Sequence, residues 1–137
     1  MLLDTGAVVA LVNASDPDHD RCVAVWSTLR AELHTVEGVL VEAAHLLRRA
    51  RGGPQAAIGL VLDAATNIVP ATGARLRRAA TLMRKYHDTP MDLVDALLVA
   101  VAEDDGIRDV FTLDRRAFET YRLARNVRFR IVPAMDE

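Results

Sequence analysis

The stretch Thr89 to Glu103, TPMDLVDALLVAVAE, decides how the rest of the chain is read. Every residue from Ala96 to Ala102 is apolar, so a helix built from it is hydrophobic on all sides and belongs inside a domain. Asp95 nevertheless stands at the head of that run, with Asp92 three residues before it. A buried carboxylate without a partner is costly. Few basic residues lie nearby in sequence, so a bound cation becomes a candidate partner, and the rest of the chain must supply its other ligands.

Working outward, 137 residues fit one domain, 1–137, with a single core. One cysteine, Cys22, rules out an internal disulfide framework. No signal-peptide pattern and no apolar run of membrane-spanning length is present, so the expectation is a soluble, cytoplasmic protein with no membrane partner. The net charge of -2 gives no global basic bias. Arginines do cluster locally, at 48–51, 75–84, 115–116 and 122–130. Singly, such clusters read as solvated helix ends. Together they can form a phosphate-binding rim beside an acidic pocket.

Met1 to Leu3 reads as a strand ending at Asp4, followed by a helix from Ala7. Asp16-Pro17 predicts an N-cap with proline at the first helical position, and a second helix to about Ala31. Leu33 to Val36 is a weak strand and Gly38 to Arg51 a helix that carries Glu42 among apolar neighbours. A helix from Pro54 to Ala65, a strand at Asn67 to Val69 and an amphipathic helix from Thr72 or Gly73 to His87 follow. Thr89-Pro90-Met91-Asp92 has capping-box spacing, which starts the central helix at Pro90, and Gly106 stops it. Asp109 to Leu113 reads as a strand delivering Asp114. Phe118 and Tyr121 suit a short helix, and Val127 to Val132 a last strand. Short strands alternating with helices imply an α/β fold, a three-layer α/β/α sandwich with a mainly parallel sheet.

Four carboxylates stand out by context. Asp4 and Asp114 follow strands, whereas Glu42 and Asp95 interrupt apolar helices. In a parallel sheet all four can meet in the crevice beyond the carboxyl ends of the strands. Four acids in one cleft repel each other unless a hard cation binds them, and an all-oxygen ligand set suits Mg²⁺ or Mn²⁺. That chemistry serves phosphodiester hydrolysis. Each acid also has a structural alternative: Asp4, Asp92 and Asp114 as helix caps, Glu42 and Asp95 as partners of buried arginines.

Other chemistries fit less well. Glu42 and His45 make a single Glu-x-x-His pair, where a di-iron bundle needs two. The four histidines have no zinc spacing. No glycine-rich phosphate loop or serine-nucleophile elbow occurs. A phosphatase using Asp4 lacks the second aspartate two residues on. A receiver-like phospho-acceptor domain lacks its late lysine, since the one lysine is Lys85.

With these residues in place, the chain resembles the PIN-domain ribonucleases, and within them the toxins of VapC-type toxin-antitoxin pairs. LLDTGAVVAL is similar to the family's opening strand and first acid, VLVEAAHLLRR to its glutamate helix, and PMDLVDALLVAVAEDDGIRDVFTLDRRAF to its third-acid helix and the strand to the fourth. The resemblance implies a PIN-like sandwich and a Mg²⁺- or Mn²⁺-dependent endoribonuclease with Asp4, Glu42, Asp95 and Asp114 as catalytic acids. Asp4, Asp95 and Asp114 would be the metal ligands, and Glu42 would help to position a water. Thr5, Thr112 and Asp92 match supporting positions, and Arg115 and Arg116 would meet flanking phosphates. It also implies structured RNA as substrate, such as a tRNA or rRNA loop, a cognate VapB-type antitoxin and a homodimer. A catalytically idle PIN-like module that binds RNA or protein is the alternative reading.

Overall fold

The computed structural model describes residues 1–135; the last two residues of the expected domain lie outside them. Strands β1 (Leu2–Leu3), β2 (His34–Thr35), β3 (Asn67–Ile68), β4 (Asp109–Phe111) and β7 (Arg130–Val132) form one parallel sheet in the order β3-β2-β1-β4-β7. Leu2 pairs with both His34 and Val110, so β1 lies at the centre of the sheet. Leu2 and Leu3 are fully buried, which is how a strand starting at the first methionine stays ordered.

Helices α1 (Thr5–Val12), α2 (His19–Trp26), α3 (Glu37–Leu46) and α4 (Gly53–Asp63) belong to the connections that lead from β1 through β2 to β3. The chain then returns through α5 (Gly73–Lys85) and α6 (Leu93–Asp105) to β4, on the other side of β1. Because parallel crossovers are right-handed, this reversal puts the two helix groups on opposite faces of the sheet. Helix α1 packs on α2, α3 and α4, while α5 packs on α6. Helix α7 (Arg115–Thr120) joins β4 to a small antiparallel hairpin, β5 (Arg122–Leu123) with β6 (Val127–Arg128), and then to β7.

The apolar stretch behaves as its composition dictates. From Ala96 to Ala102 no residue is more than 5% exposed, and α6 ends at Gly106, whose φ of 66° is a left-handed C-cap. Gly38 lets α3 approach α6, since a Cβ there would stand 2.9 Å from Val94 Cγ2.

Several boundaries differ from the sequence reading, each for a local reason. Helix α6 starts at Leu93 rather than Pro90: Asp92 is itself the N-cap, accepting from Asp95 N at 2.8 Å, and Thr89-Pro90 lies in the preceding turn. Helix α2 starts at His19, because Asp16 accepts from Asp18 N in a turn (2.9 Å) instead of capping a helix. It ends at Trp26, where the Ser27 and Thr28 hydroxyls donate back to Ala24 O and Val25 O. Helix α3 stops at Leu46, with Arg48 donating to His45 O at 2.8 Å. The last strand is two strands, broken at Phe129, whose ring turns inward against Phe118.

Candidate active site

The strand order reverses between β1 and β4, and a parallel sheet opens its ligand crevice at such a point, beyond the carboxyl ends of the strands. Asp4 follows β1 and Asp114 follows β4. Their elements are laced together by Asp4 N donating to Phe111 O at 3.0 Å. Asp95 enters from the first turn of α6 and Glu42 from the middle of α3.

Asp4 is held at both oxygens. Thr5 N donates to Oδ1 at 2.8 Å and the Thr112 hydroxyl donates to Oδ2 at 2.7 Å. The same Thr112 oxygen accepts from Asp114 N at 3.0 Å, so one hydroxyl fixes the spacing of two acids. The Thr5 hydroxyl donates to Glu42 Oε1 at 3.3 Å. Asp95 Oδ2 accepts from the phenol of Tyr121 at 2.8 Å. Asp92 takes the Asp95 backbone amide, and Asp114 caps α7 by accepting from Ala117 N at 3.3 Å.

The acids act on one another. Burial raises the pKa of Asp4 above the usual carboxylate range, with Asp114 and Asp92 adding repulsion, against the lowering effect of its hydrogen bonds from Thr112 and Thr5. Burial raises Glu42 as well, followed by repulsion from Asp92, while the Thr5 bond lowers it and Asp4 raises it further. Asp95 is pushed up to about 7, first by burial, opposed by the Tyr121 bond, then by Asp92, Asp4 and Asp114. The Tyr121 phenol is raised in turn by burial and by its bond to Asp95. No basic side chain appears among the groups acting on these three acids. The arginine-partner reading of Glu42 and Asp95 therefore fails: among the described residues neither makes an ion pair.

The structure thus brings Asp4, Glu42, Asp92, Asp95 and Asp114 to one edge, with Thr5 and Thr112 between them. Arg116 lines a hollow of about 350 Å³ that also includes Asp114 and Asp88. Arg115 is turned elsewhere, donating to Pro133 O at 2.9 Å and pairing with Glu119 at 3.3 Å. Tyr121, through its bond to Asp95, is a side chain of this cluster that the sequence reading missed. Its signal was available: a tyrosine buried after a short helix needs a partner for its hydroxyl, and Asp95 was the buried acid lacking one.

The donor chemistry fits a hard divalent cation, being all carboxylate and hydroxyl oxygen, with no positive group acting on Asp4, Glu42 or Asp95. Among the described residues no group of three or more His, Cys, Asp or Glu is arranged to hold a metal ion. An oxygen donor set that does not close into a full protein cage suits an ion that keeps several of its own waters, as Mg²⁺ does.

Comparison with known proteins agrees with this geometry. The PIN domain family model matches residues 1–123. Ribonuclease VapC26 of Mycobacterium tuberculosis is 29% identical over 136 residues, covering 97% of this chain and all of the relative. The crystal structure of Mycobacterium tuberculosis VapC20, a sarcin-ricin loop cleaving toxin, superposes with a TM-score of 0.76 at 27% identity, over 85% of this chain and 92% of that one. VapBC2 from Rickettsia felis, bound to a DNA fragment from its promoter, shares the fold at 13% identity, with a TM-score of 0.66 over 95% of this chain and 96% of that one. With strand order, acidic edge and family model in agreement, the chain belongs to the PIN domain family.

Proposed function

We propose that this chain is a metal-dependent endoribonuclease and the toxin of a toxin-antitoxin pair, cleaving an exposed loop of structured RNA. The observation that carries the reading is the cluster of carboxylates at the sheet's switch point, braced by Thr112 and Tyr121, with no basic group acting on Asp4, Glu42 or Asp95. The naming of VapC26 as a ribonuclease and of VapC20 as a sarcin-ricin loop cleaving toxin supports the substrate class.

Asp4, Asp95 and Asp114 would hold Mg²⁺ or Mn²⁺, directly or through water. Bound there, the ion supplies charge neutralisation at the scissile phosphate and a more acidic water. Glu42, half-buried and fixed by Thr5, orients the attacking water in line with the bond to be broken. A new bond forms from the water oxygen to phosphorus as the water releases a proton to solvent, the bond from phosphorus to the 3′ oxygen breaks, and the departing oxygen takes up a proton from solvent. The products carry a 3′-hydroxyl and a 5′-phosphate. Arg116, at the rim beside Asp114, meets a flanking phosphate. Loops suit such a crevice because their bases and backbone are splayed out of the A-form helix.

Two features support a protein partner. Val41 and Leu46 on α3 and Leu62 on α4 are each about 60% exposed, at 64%, 59% and 62%, and large exposed apolar side chains in one region mark surfaces that a partner covers. The VapBC2 relative supports a VapB-type antitoxin for this role, alongside a second copy of the chain in a homodimer. Among the described residues no helix is long and apolar enough to cross a membrane. An RNA substrate and an antitoxin partner would be met in the cytoplasm, which is the compartment we propose.

The test is cleavage of RNA by the purified protein with Mg²⁺ or Mn²⁺. Activity should vanish with a chelator and with Asp4→Asn; RNA cleavage indifferent to both would overturn the reading.

A further inference from the structure

A second hollow, of about 530 Å³, lies between the end of α5 and the β5–β6 hairpin, outside the acidic crevice. Its walls carry Arg78, Lys85, Arg122 and Arg125 against one acid, Glu103. Glu103 is already taken by Arg78, through two hydrogen bonds of 2.8 Å. Arg122 is anchored by Nη1 donating to the Thr120 and Tyr121 carbonyls, and the Lys85 ammonium lies 5.2 Å over the Tyr86 ring. Among the described residues no carboxylate pairs with Lys85, Arg122 or Arg125. In a chain of net charge -2, this wall concentrates positive charge, and the mutual repulsion works against folding.

The backbone shows the same bias against stability. Arg125 and Asn126 both adopt left-handed conformations, with φ of 60° and 61°. Asparagine tolerates that region, whereas an arginine held there is strained. Glycine would make the turn without strain, so what arginine adds is a cation at the tip of the hairpin.

The basic hollow adjoins the acidic crevice. The chain runs from Thr120 and Asp88 in the hollow containing Asp114 to Arg122 and Lys85 in this one. Tyr86, which lines this hollow, meets Tyr121 edge-on beside it, 5.2 Å between ring centroids, with Tyr86 accepting from Arg122 N at its hydroxyl. A polyanion entering at Asp114 past Arg116 is thereby led towards Lys85 and Arg125. A peptide partner needs large apolar contacts, and three of the four most exposed of those, Val41, Leu46 and Leu62, lie instead on α3 and α4.

We propose that this hollow is a second RNA contact, binding backbone phosphate away from the cleaved bond, with Lys85 and Arg125 as the contacting cations. The inference rests on the ribonuclease reading and extends it to where the uncut part of the RNA lies. Its test uses the full-length protein and a fluorescein-labelled single-stranded oligoribonucleotide of mixed sequence. Binding is followed by anisotropy in EDTA, where no cut occurs, across a range of salt concentrations.

Arg125→Gly should weaken binding several-fold while the melting temperature stays the same or rises. Adding Lys85→Gln should weaken it further, to about tenfold or more at low salt. Each lost phosphate contact should reduce the slope of log affinity against log salt by roughly 0.7, the value for single strands. Arg48→Gln with Arg49→Gln, an equal charge change in the turn after α3 and outside both hollows, should leave the slope as it was. If the parent cleaves RNA but both pairs of substitutions weaken binding equally, or neither does, the second contact is overturned while the ribonuclease reading stands. Loss of affinity for a polyglutamate peptide with RNA affinity intact would overturn it too, in favour of an acidic protein partner. Failure of the parent to cleave RNA at all removes the ribonuclease reading first.

Discussion

Tyr121 donates its phenolic hydroxyl to Asp95 Oδ2 at 2.8 Å, across 26 residues of sequence, and both side chains are buried. This is the partner that the apolar helix α6 required for its one internal carboxylate. Being neutral, the phenol satisfies a lone pair without cancelling the charge, which leaves Asp95 free to face a cation. Tyr121→Phe removes the donor and keeps the ring packing on Tyr86 and Phe118. Leaving a buried acceptor unpaired costs about 1–3 kcal/mol. The expected result is a lower kcat and a higher Mg²⁺ requirement, read from cleavage rates over a metal titration, with the far-UV spectrum unchanged.

Thr112 ties Asp4 to Asp114, donating to one and accepting from the other's amide. Thr112→Val keeps the shape and removes both bonds, so cleavage should fall by roughly 10–100-fold, the usual cost of losing a residue that orients metal ligands. Thr112→Ser should restore most of it. Equal activity in the valine and serine variants would show that the hydroxyl has no such role.

The stability of the metal-free protein should depend on pH through Asp95. Its carboxyl titrates near 3.8 when exposed and at about 7 in the fold. Between those values the folded state holds a proton that the unfolded chain has released, so stability falls as pH rises from about 4 to about 7 and levels off above. Asp4 and Glu42 are shifted in the same direction. Thermal melting in EDTA should therefore give a higher Tm at pH 5 than at pH 8. Asp95→Asn should shrink that difference, and saturating Mg²⁺ at pH 8 should raise Tm by binding the folded state.

Gly38 and Val94 set the approach of the Glu42 helix to the Asp95 helix. A Cβ on residue 38 would come within 2.9 Å of Val94 Cγ2, and valine has little rotamer freedom with which to yield. Gly38→Ala should cost about 1–3 kcal/mol in chemical denaturation through overpacking. Combining it with Val94→Ala should recover part of the loss, because the second change removes the atom that clashes.

Much of this was legible in the residues themselves. The unbroken apolar run of α6 and the position of Asp4 after a buried strand both reflect burial, which composition reports directly. The placement of Asp114 after β4 followed from the same alternation. Details that depend on competing hydrogen bonds were less visible. Thr89-Pro90 imitates a capping box, but the Asp92 carboxylate reaches the Asp95 amide and starts the helix three residues later. Phe129 splits the expected final strand because its ring finds a buried place against Phe118, 5.4 Å between centroids. Tyr121 could be assigned to a helix by spacing alone, yet its bond to Asp95 depends on tertiary folding that brings the chain just past α7 onto α6. The meeting of Lys85 with Arg125 is tertiary in the same sense.

The central claim is that the buried acid of α6 serves cleavage of RNA with a divalent cation. The most direct measurement compares the parent protein with Asp95→Asn on total cellular RNA in Mg²⁺, with every new end mapped. The account predicts discrete cuts within one or a few exposed loops, bearing 5′-phosphate and 3′-hydroxyl ends, present with the parent and reduced at least a hundredfold with Asp95→Asn. The same cuts at the same rate from both proteins would contradict it.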